Sequence, residues 1–192
     1  MSNRPSAPTI FVAIALATAG CMNPGSQLVE HEYGPPLLPT PALGSMRNVA
    51  LRESVWVGSH PSPEDLDLAD RRGISRTIDV SLPQERPGFD VAATCEKLGI
   101  EYVQVAPASG SPIPDDGEID RTLDELRRGG AKSTLLFSGS GDRAAMFLAI
   151  WRVLDGGIGV DEAIHEARRS GMKPGAPVEF VRTQVARLSR GA

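Results

Sequence analysis

Residues 133–150 read Ser-Thr-Leu-Leu-Phe-Ser-Gly-Ser-Gly-Asp-Arg-Ala-Ala-Met-Phe-Leu-Ala-Ile. An apolar run of β type enters a tight loop, Ser138-Gly139-Ser140-Gly141-Asp142-Arg143, and the arginine opens a helical pattern. A strand, glycine loop and helix in that order aim backbone N–H groups and the positive end of the helix dipole at one point, which makes an anion pocket. Arg143 adds a guanidinium that can hold phosphate or sulfate through two parallel charge-assisted hydrogen bonds. Asp142 opposes this, because a carboxylate beside the pocket repels an anion unless it turns outward, where it favours the helix N-terminus. Ser138 is the one hydroxyl placed at the entry of the loop.

A hydrolytic site built on such a pocket needs a proton donor for the leaving oxygen. Asp115 and Asp116, in Pro112-Ile-Pro-Asp-Asp-Gly, are the candidates by position. Their other reading, which the spacing to Glu118 favours, is turn formation and helix N-capping. Asp79, at the end of a strand-like run, is the weaker candidate and reads as a structural acceptor. The histidines, His31, His60 and His165, are scattered, and nothing in the sequence brings His60 or His165 to the loop. The cysteines, Cys21 and Cys95, lie in different contexts with no Cys/His pair at ligand spacing, so no metal, cofactor or disulfide framework is expected. Cys95 falls in a helical pattern and reads as packing. A formal net charge of −4 over 192 residues argues against a nucleic-acid partner, which normally requires a basic face.

The elements that must hold this loop follow from periodicity and punctuation. Residues 49–57 alternate apolar and polar and suit a strand, with Trp56 as a core residue. Ser62 is a plausible N-cap and Pro63 a first helical residue for a helix over 64–72, stopped at Gly73. Strands follow over 75–80, 100–105 and 133–137. Helices are expected over 90–98, 118–128, 143–154, 160–170 and 178–188. Met146, Phe147, Ile150 and Trp151 recur at helical spacing and belong to the core. Arg168, Arg169 and Lys173 read as a solvated basic face. Strands alternating with helices of about ten residues specify an α/β fold with a central, mostly parallel sheet flanked by helices. Ligands bind such sheets at the carboxyl ends of strands, where the glycine loop lies.

The chain starts differently. Arg4, an apolar run over 10–17 and Thr18-Ala19-Gly20-Cys21 have the order of a secretory signal. Small residues leading into a cysteine resemble a bacterial lipobox. That resemblance implies acylation of Cys21, a lipid anchor in the cell envelope and, with Met22 next, sorting to the outer membrane or its periplasmic face. Residues 22–45 are rich in proline and glycine and read as an extended tether. The expected organisation is thus a signal over 1–21, a tether over 22–45 and a folded domain over 46–190.

Five segments within that domain share one resemblance: Gly58-Ser-His-Pro-Ser-Pro-Glu-Asp, Gly73-Ile-Ser-Arg-Thr-Ile-Asp-Val, Leu98-Gly-Ile-Glu-Tyr-Val-Gln-Val, Ser138-Gly-Ser-Gly-Asp-Arg and Glu162-Ala-Ile-His-Glu-Ala-Arg-Arg-Ser-Gly-Met. Over residues 48–188 the chain resembles the protein tyrosine phosphatase superfamily, in its bacterial beta-lactamase-hydrolase-like or dual-specificity-phosphatase-like branch. The family loop reads His-Cys-x-x-Gly-x-Arg or His-Cys-x-x-Gly-x-x-Arg. The shorter form, anchored on Gly141 and Arg143, puts Ser138 at the nucleophilic cysteine; the longer form puts Phe137 there, and neither supplies a thiol.

A thiol in such a cradle ionises at about pH 3.5–7.5. A hydroxyl does not, and a serine nucleophile requires a neighbouring base. The resemblance therefore implies a lipoprotein with impaired catalysis that binds a phosphorylated or other oxyanionic ligand, or a protein partner, through Ser138, Gly139, Ser140, Gly141, Asp142 and Arg143. The alternatives are an active phosphoester hydrolase using Ser138 or water, and a structural envelope lipoprotein with a vestigial pocket. Rhodanese-type sulfur transfer is excluded by the same missing thiol unless Cys95 reaches the loop.

Overall fold

The alternation of short apolar runs and helical patterns becomes a five-stranded sheet with helices on both faces. The structure is a computed structural model that describes residues 41–85, 88–105, 107 and 110–190. The signal segment, Cys21 and most of the tether lie outside the described residues. In chain order the elements are β1 (Ala50–Arg52), β2 (Val55–Gly58), α1 (Pro63–Arg71), β3 (Arg76–Asp79), α2 (Val91–Leu98), β4 (Glu101–Gln104), α3 (Asp116–Gly129), β5 (Thr134–Phe137), α4 (Asp142–Leu154), α5 (Val160–Arg169) and α6 (Ala176–Leu188). A 3₁₀ turn, Pro83–Glu85, lies between β3 and α2.

The strand order is β1-β2-β5-β3-β4. Only β1 runs antiparallel; β5 is central and pairs in parallel with β2 and β3. All four residues of β5 are buried, as expected for a strand covered on both faces. Its side chains alternate between two cores. Leu135 and Phe137 join Leu66, Ala69, Val91 and Cys95 on the α1/α2 face. Leu136 joins Val55, Val57, Ile78, Ile119, Phe147 and Ile150 on the face of α3 and α4. The α4 residues singled out by spacing, Met146, Phe147, Ile150 and Trp151, are all buried.

Helix starts follow their caps. The Ser62 hydroxyl accepts the Asp65 N–H while the Asp65 carboxylate accepts the Ser62 N–H, a reciprocal capping box with Pro63 in the first turn. Asp90 caps α2 by accepting the Ala93 N–H.

Two expectations shift. Residues 49–57 form a hairpin rather than one strand, because Glu53 takes a positive φ of 55° and reverses the chain between β1 and β2. That turn has no glycine or asparagine to announce it. Trp56 is consequently only half-buried, with the Arg72 guanidinium 5.6 Å from its ring centre. Packing also begins before residue 46: Leu43 is fully buried, and Ser45 donates its N–H and hydroxyl to the Asp65 carboxylate at 2.7 and 2.8 Å. The final residues assigned to the tether thus belong to the folded part.

Candidate oxyanion site

Parallel register decides what surrounds the glycine loop. Gly58 of β2 and Asp79 of β3 both stand opposite Phe137, the last residue of β5. The segments that leave these three strands, starting at Ser59, Val80 and Ser138, therefore emerge side by side. The loop is tied to its neighbours through its backbone. The Ser138 N–H donates to the Gly58 carbonyl at 3.3 Å, the His60 N–H to the Gly139 carbonyl at 3.4 Å, and the Asn48 amide to the Ser140 carbonyl at 2.8 Å.

Gly141 is the N-cap of α4, in a left-handed conformation with φ 88°. A Cβ there would lie 3.1 Å from the Gly58 carbonyl carbon and 3.2 Å from the Ser59 nitrogen. Conformation and close backbone approach thus both require glycine. At Gly139 the crowding is from a side chain instead: a Cβ would come within 2.7 Å of the Glu85 carboxyl carbon. The 3₁₀ turn therefore lays a carboxylate against the loop.

Ser138 is 1% exposed, and its hydroxyl oxygen accepts the Ala144 N–H from the first turn of α4 at 3.2 Å. It acts as a cap inside the loop. Among the described residues no histidine nitrogen is hydrogen-bonded to this hydroxyl. Asp142 turns outward, accepting the Lys173 N–H at 2.9 Å with the Lys173 ammonium 3.8 Å away. The repulsion expected of this carboxylate is thereby turned from the loop.

Arg143 is 4% exposed, and most of its donors are committed. Its Nη1 donates to the Ser111 and Pro112 carbonyls, each at 3.1 Å, and its Nη2 pairs with Glu118, whose side chain is 1% exposed. The ring of Phe147 lies 5.9 Å from the guanidinium carbon. Arg143 Nε is buried and has no hydrogen-bond partner among the described residues. The guanidinium is thus a fixed, desolvated cation with three of its five N–H donors bonded.

The two aspartates proposed as proton donors are engaged elsewhere. Asp115 is the N-cap of α3: it accepts the Glu118 N–H at 2.9 Å, and Glu118 accepts the Asp115 N–H at 2.8 Å. Asp116 accepts from the Gln184 side chain at 2.8 Å and lies 3.6 Å from Arg187 of α6. Asp79 is buried, accepting from the Ser81 N–H at 2.9 Å and the Tyr102 hydroxyl at 2.8 Å. Cys95 is fully buried in α2, with Thr77 Oγ1 3.7 Å from its sulfur, and burial pushes its thiol above the ordinary range. It is no source of a thiolate for the loop.

His60 was not expected at the loop, and it is there. Its ring packs on Phe137 with centroids 5.2 Å apart, and Nε2 lies 3.0 Å from the Ser81 hydroxyl. Burial holds its pKa below the usual histidine value, against the opposing pull of Asp79 and Glu85. His165 is exposed on α5. The signal for His60 was available in principle: in a parallel sheet the first residues after each strand end meet at the same edge, and His60 lies two past β2. The pairing of Glu118 with Arg143 had no such signal, although the Asp115-x-x-Glu118 spacing of its capping box is legible. Among the described residues no group of three His, Cys, Asp or Glu side chains is placed to hold a metal ion.

No family model matches the chain, and no curated protein matches it. Solved structures do. A DUF442 candidate phosphatase from Shewanella putrefaciens CN-32 is similar with a TM-score of 0.63 at 13% identity, covering 76% of this chain and 95% of that one. A mutant form of Tk-PTP is similar at TM-score 0.60 and 21% identity, covering 74% and 97%. PTPMT1 in complex with PI(5)P is similar at TM-score 0.59 and 16% identity, covering 76% and 97%. At these identities the likeness concerns architecture: the chain has the fold of the protein tyrosine and dual-specificity phosphatases.

Proposed function

We propose that this protein is a catalytically impaired phosphatase-fold lipoprotein that binds a phosphorylated or other oxyanionic ligand in the loop from Ser138 to Arg143 without turning it over. The observation that carries the reading is the state of Ser138. Its hydroxyl stands where the resemblance calls for a thiolate, is buried, accepts a helix N–H and has no hydrogen-bonded base among the described residues. An aliphatic hydroxyl in that position lacks the means to become an attacking alkoxide. The binding half of the reading is supported by the α4 N-terminus behind Gly141 and by the buried Nε of Arg143, which has no partner among the described residues. That a phosphatase-fold neighbour is complexed with a phosphoinositide supports the ligand class. The experiment is a phosphate titration by calorimetry alongside an aryl-phosphate hydrolysis assay. Binding without hydrolysis supports the reading; hydrolysis that disappears in Ser138→Ala overturns it.

The anchoring half rests on Arg4, the apolar run and Thr18-Ala-Gly-Cys21. Cys21 would carry the lipid and place the folded part at the envelope surface. Metabolic labelling with a fatty acid that is lost in Cys21→Ser supports this, and label retained in that variant contradicts it.

A further inference from the structure

Besides Arg143 Nε, His60 Nδ1 is a second buried nitrogen at the loop with no hydrogen-bond partner among the described residues. His60 is held there from three sides: its N–H on the Gly139 carbonyl, its ring on Phe137, and its Nε2 on the Ser81 hydroxyl. A neutral imidazole carries one N–H, and a hydroxyl can donate or accept. If the Ser81 hydroxyl donates to Nε2, the hydrogen must sit on Nδ1, where no described protein atom receives it. Arg143 Nε, at the start of α4, likewise has no acceptor among the described residues. Arg143 belongs to the loop and His60 is bonded to it, and an oxyanion bound there would supply the acceptors that these two buried nitrogens lack among the described residues.

We infer that His60 is a ligand-binding residue of this oxyanion site, donating from Nδ1 to the bound anion while Ser81 fixes its ring through Nε2. The inference rests on the reading of the loop given above and adds a residue and a control to it. The control is acidity. The charged groups facing the imidazole are Asp79 from β3 and Glu85 from the 3₁₀ turn; β5 and the loop present the Phe137 ring and the Gly139 backbone. With the site empty, burial outweighs those carboxylates and keeps the ring neutral at neutral pH. A bound anion favours the charged ring and raises its pKa, so binding takes up a proton and strengthens as pH falls.

The test titrates sulfate into the processed full-length protein between about pH 8 and pH 5, a range in which sulfate keeps its charge while histidine titrates. Wild-type affinity should rise about three- to tenfold toward the acid end, as linkage of a single proton allows. Asparagine places its amide nitrogen near the Nδ1 position, whereas glutamine reaches the Nε2 position. His60→Asn, which cannot take up a proton, should lose the pH dependence, and His60→Gln should lose about tenfold or more at pH 5, the scale of a lost charge-assisted bond. Nitrogen NMR of the His60 ring should report a protonated Nδ1 in the sulfate complex, with His165 unchanged; a bare Nδ1 would overturn the inference. A wild-type pH profile retained in His60→Gln overturns the role of His60 and leaves the oxyanion reading standing. Failure of wild type to bind sulfate at either pH overturns both.

Discussion

Breaking the Arg143–Glu118 pair gives the most demanding prediction, because both partners are almost fully withdrawn from water. Their side chains are 5% and 1% exposed, and each has other work: Arg143 ties the 111–112 carbonyls, and Glu118 completes the capping box of α3. Glu118→Ala leaves a buried guanidinium without its counter-charge and an α3 N-terminus with half a box. Removing one partner of a buried ion pair costs about 3–5 kcal/mol, against about 0–1 for an exposed pair. At about 2–4 °C per kcal/mol for a domain of this size, the melting temperature should fall by about 6–20 °C. Chemical denaturation followed by circular dichroism measures the free energy directly. The double substitution Arg143→Met with Glu118→Leu should recover much of the loss, because apolar replacement of a buried pair is often neutral or stabilising. A loss under about 1 kcal/mol in Glu118→Ala, typical of exposed pairs, would refute the reasoning and mean that Arg143 is free in solution.

Other outcomes follow from the same structure. Gly141→Ala should destabilise by about 1–3 kcal/mol through the positive φ and the contact with Gly58, measured by denaturant titration, with oxyanion binding lost as well. Asp65 is buried, yet the hydrogen bonds from Ser62 and Ser45 more than offset that burial and hold its pKa below the ordinary carboxylate value. Its contribution to stability is therefore full above the unfolded-state pKa of about 3.9 and lost as pH falls through the lower folded value. Asp65→Asn should destabilise at neutral pH by about 1–3 kcal/mol and flatten the acid limb of the stability curve. In a Cys21→Ser background, Cys95 should resist thiol reagents in the native state at pH 7 and react on unfolding, whereas Ser138→Cys should titrate below about 8.5 when followed by alkylation rate.

What was legible in the sequence is what local chemistry determines. The apolar run 134–137, Gly141 and the apolar stretch after Arg143 specify strand, loop and helix within a residue of where they lie. Ser62-Pro63-Asp65 and Asp115-Glu118 announce their own helix starts because each cap bonds within four residues. The hairpin turn at Glu53 was hidden because its positive φ falls on a residue type that rarely adopts it. The surroundings of the loop were hidden for another reason. Glu85 and Glu118 reach it through packing across long separations in the chain, which no spacing rule carries, and His60 reaches it through strand register, which only the parallel-sheet rule hints at. Leu43 was assigned to the tether by its proline-rich neighbours and is buried by a contact that composition does not encode.

The central claim is that Ser138 caps the loop and does not attack. Intact-protein mass spectrometry of wild type, incubated at neutral pH with an activated aryl phosphate and quenched in acid, tests it at the atom concerned. The account predicts an unmodified mass under conditions where calorimetry detects bound oxyanion. A phosphoryl group recovered on Ser138, accumulating with time and absent from Ser138→Ala, would contradict it.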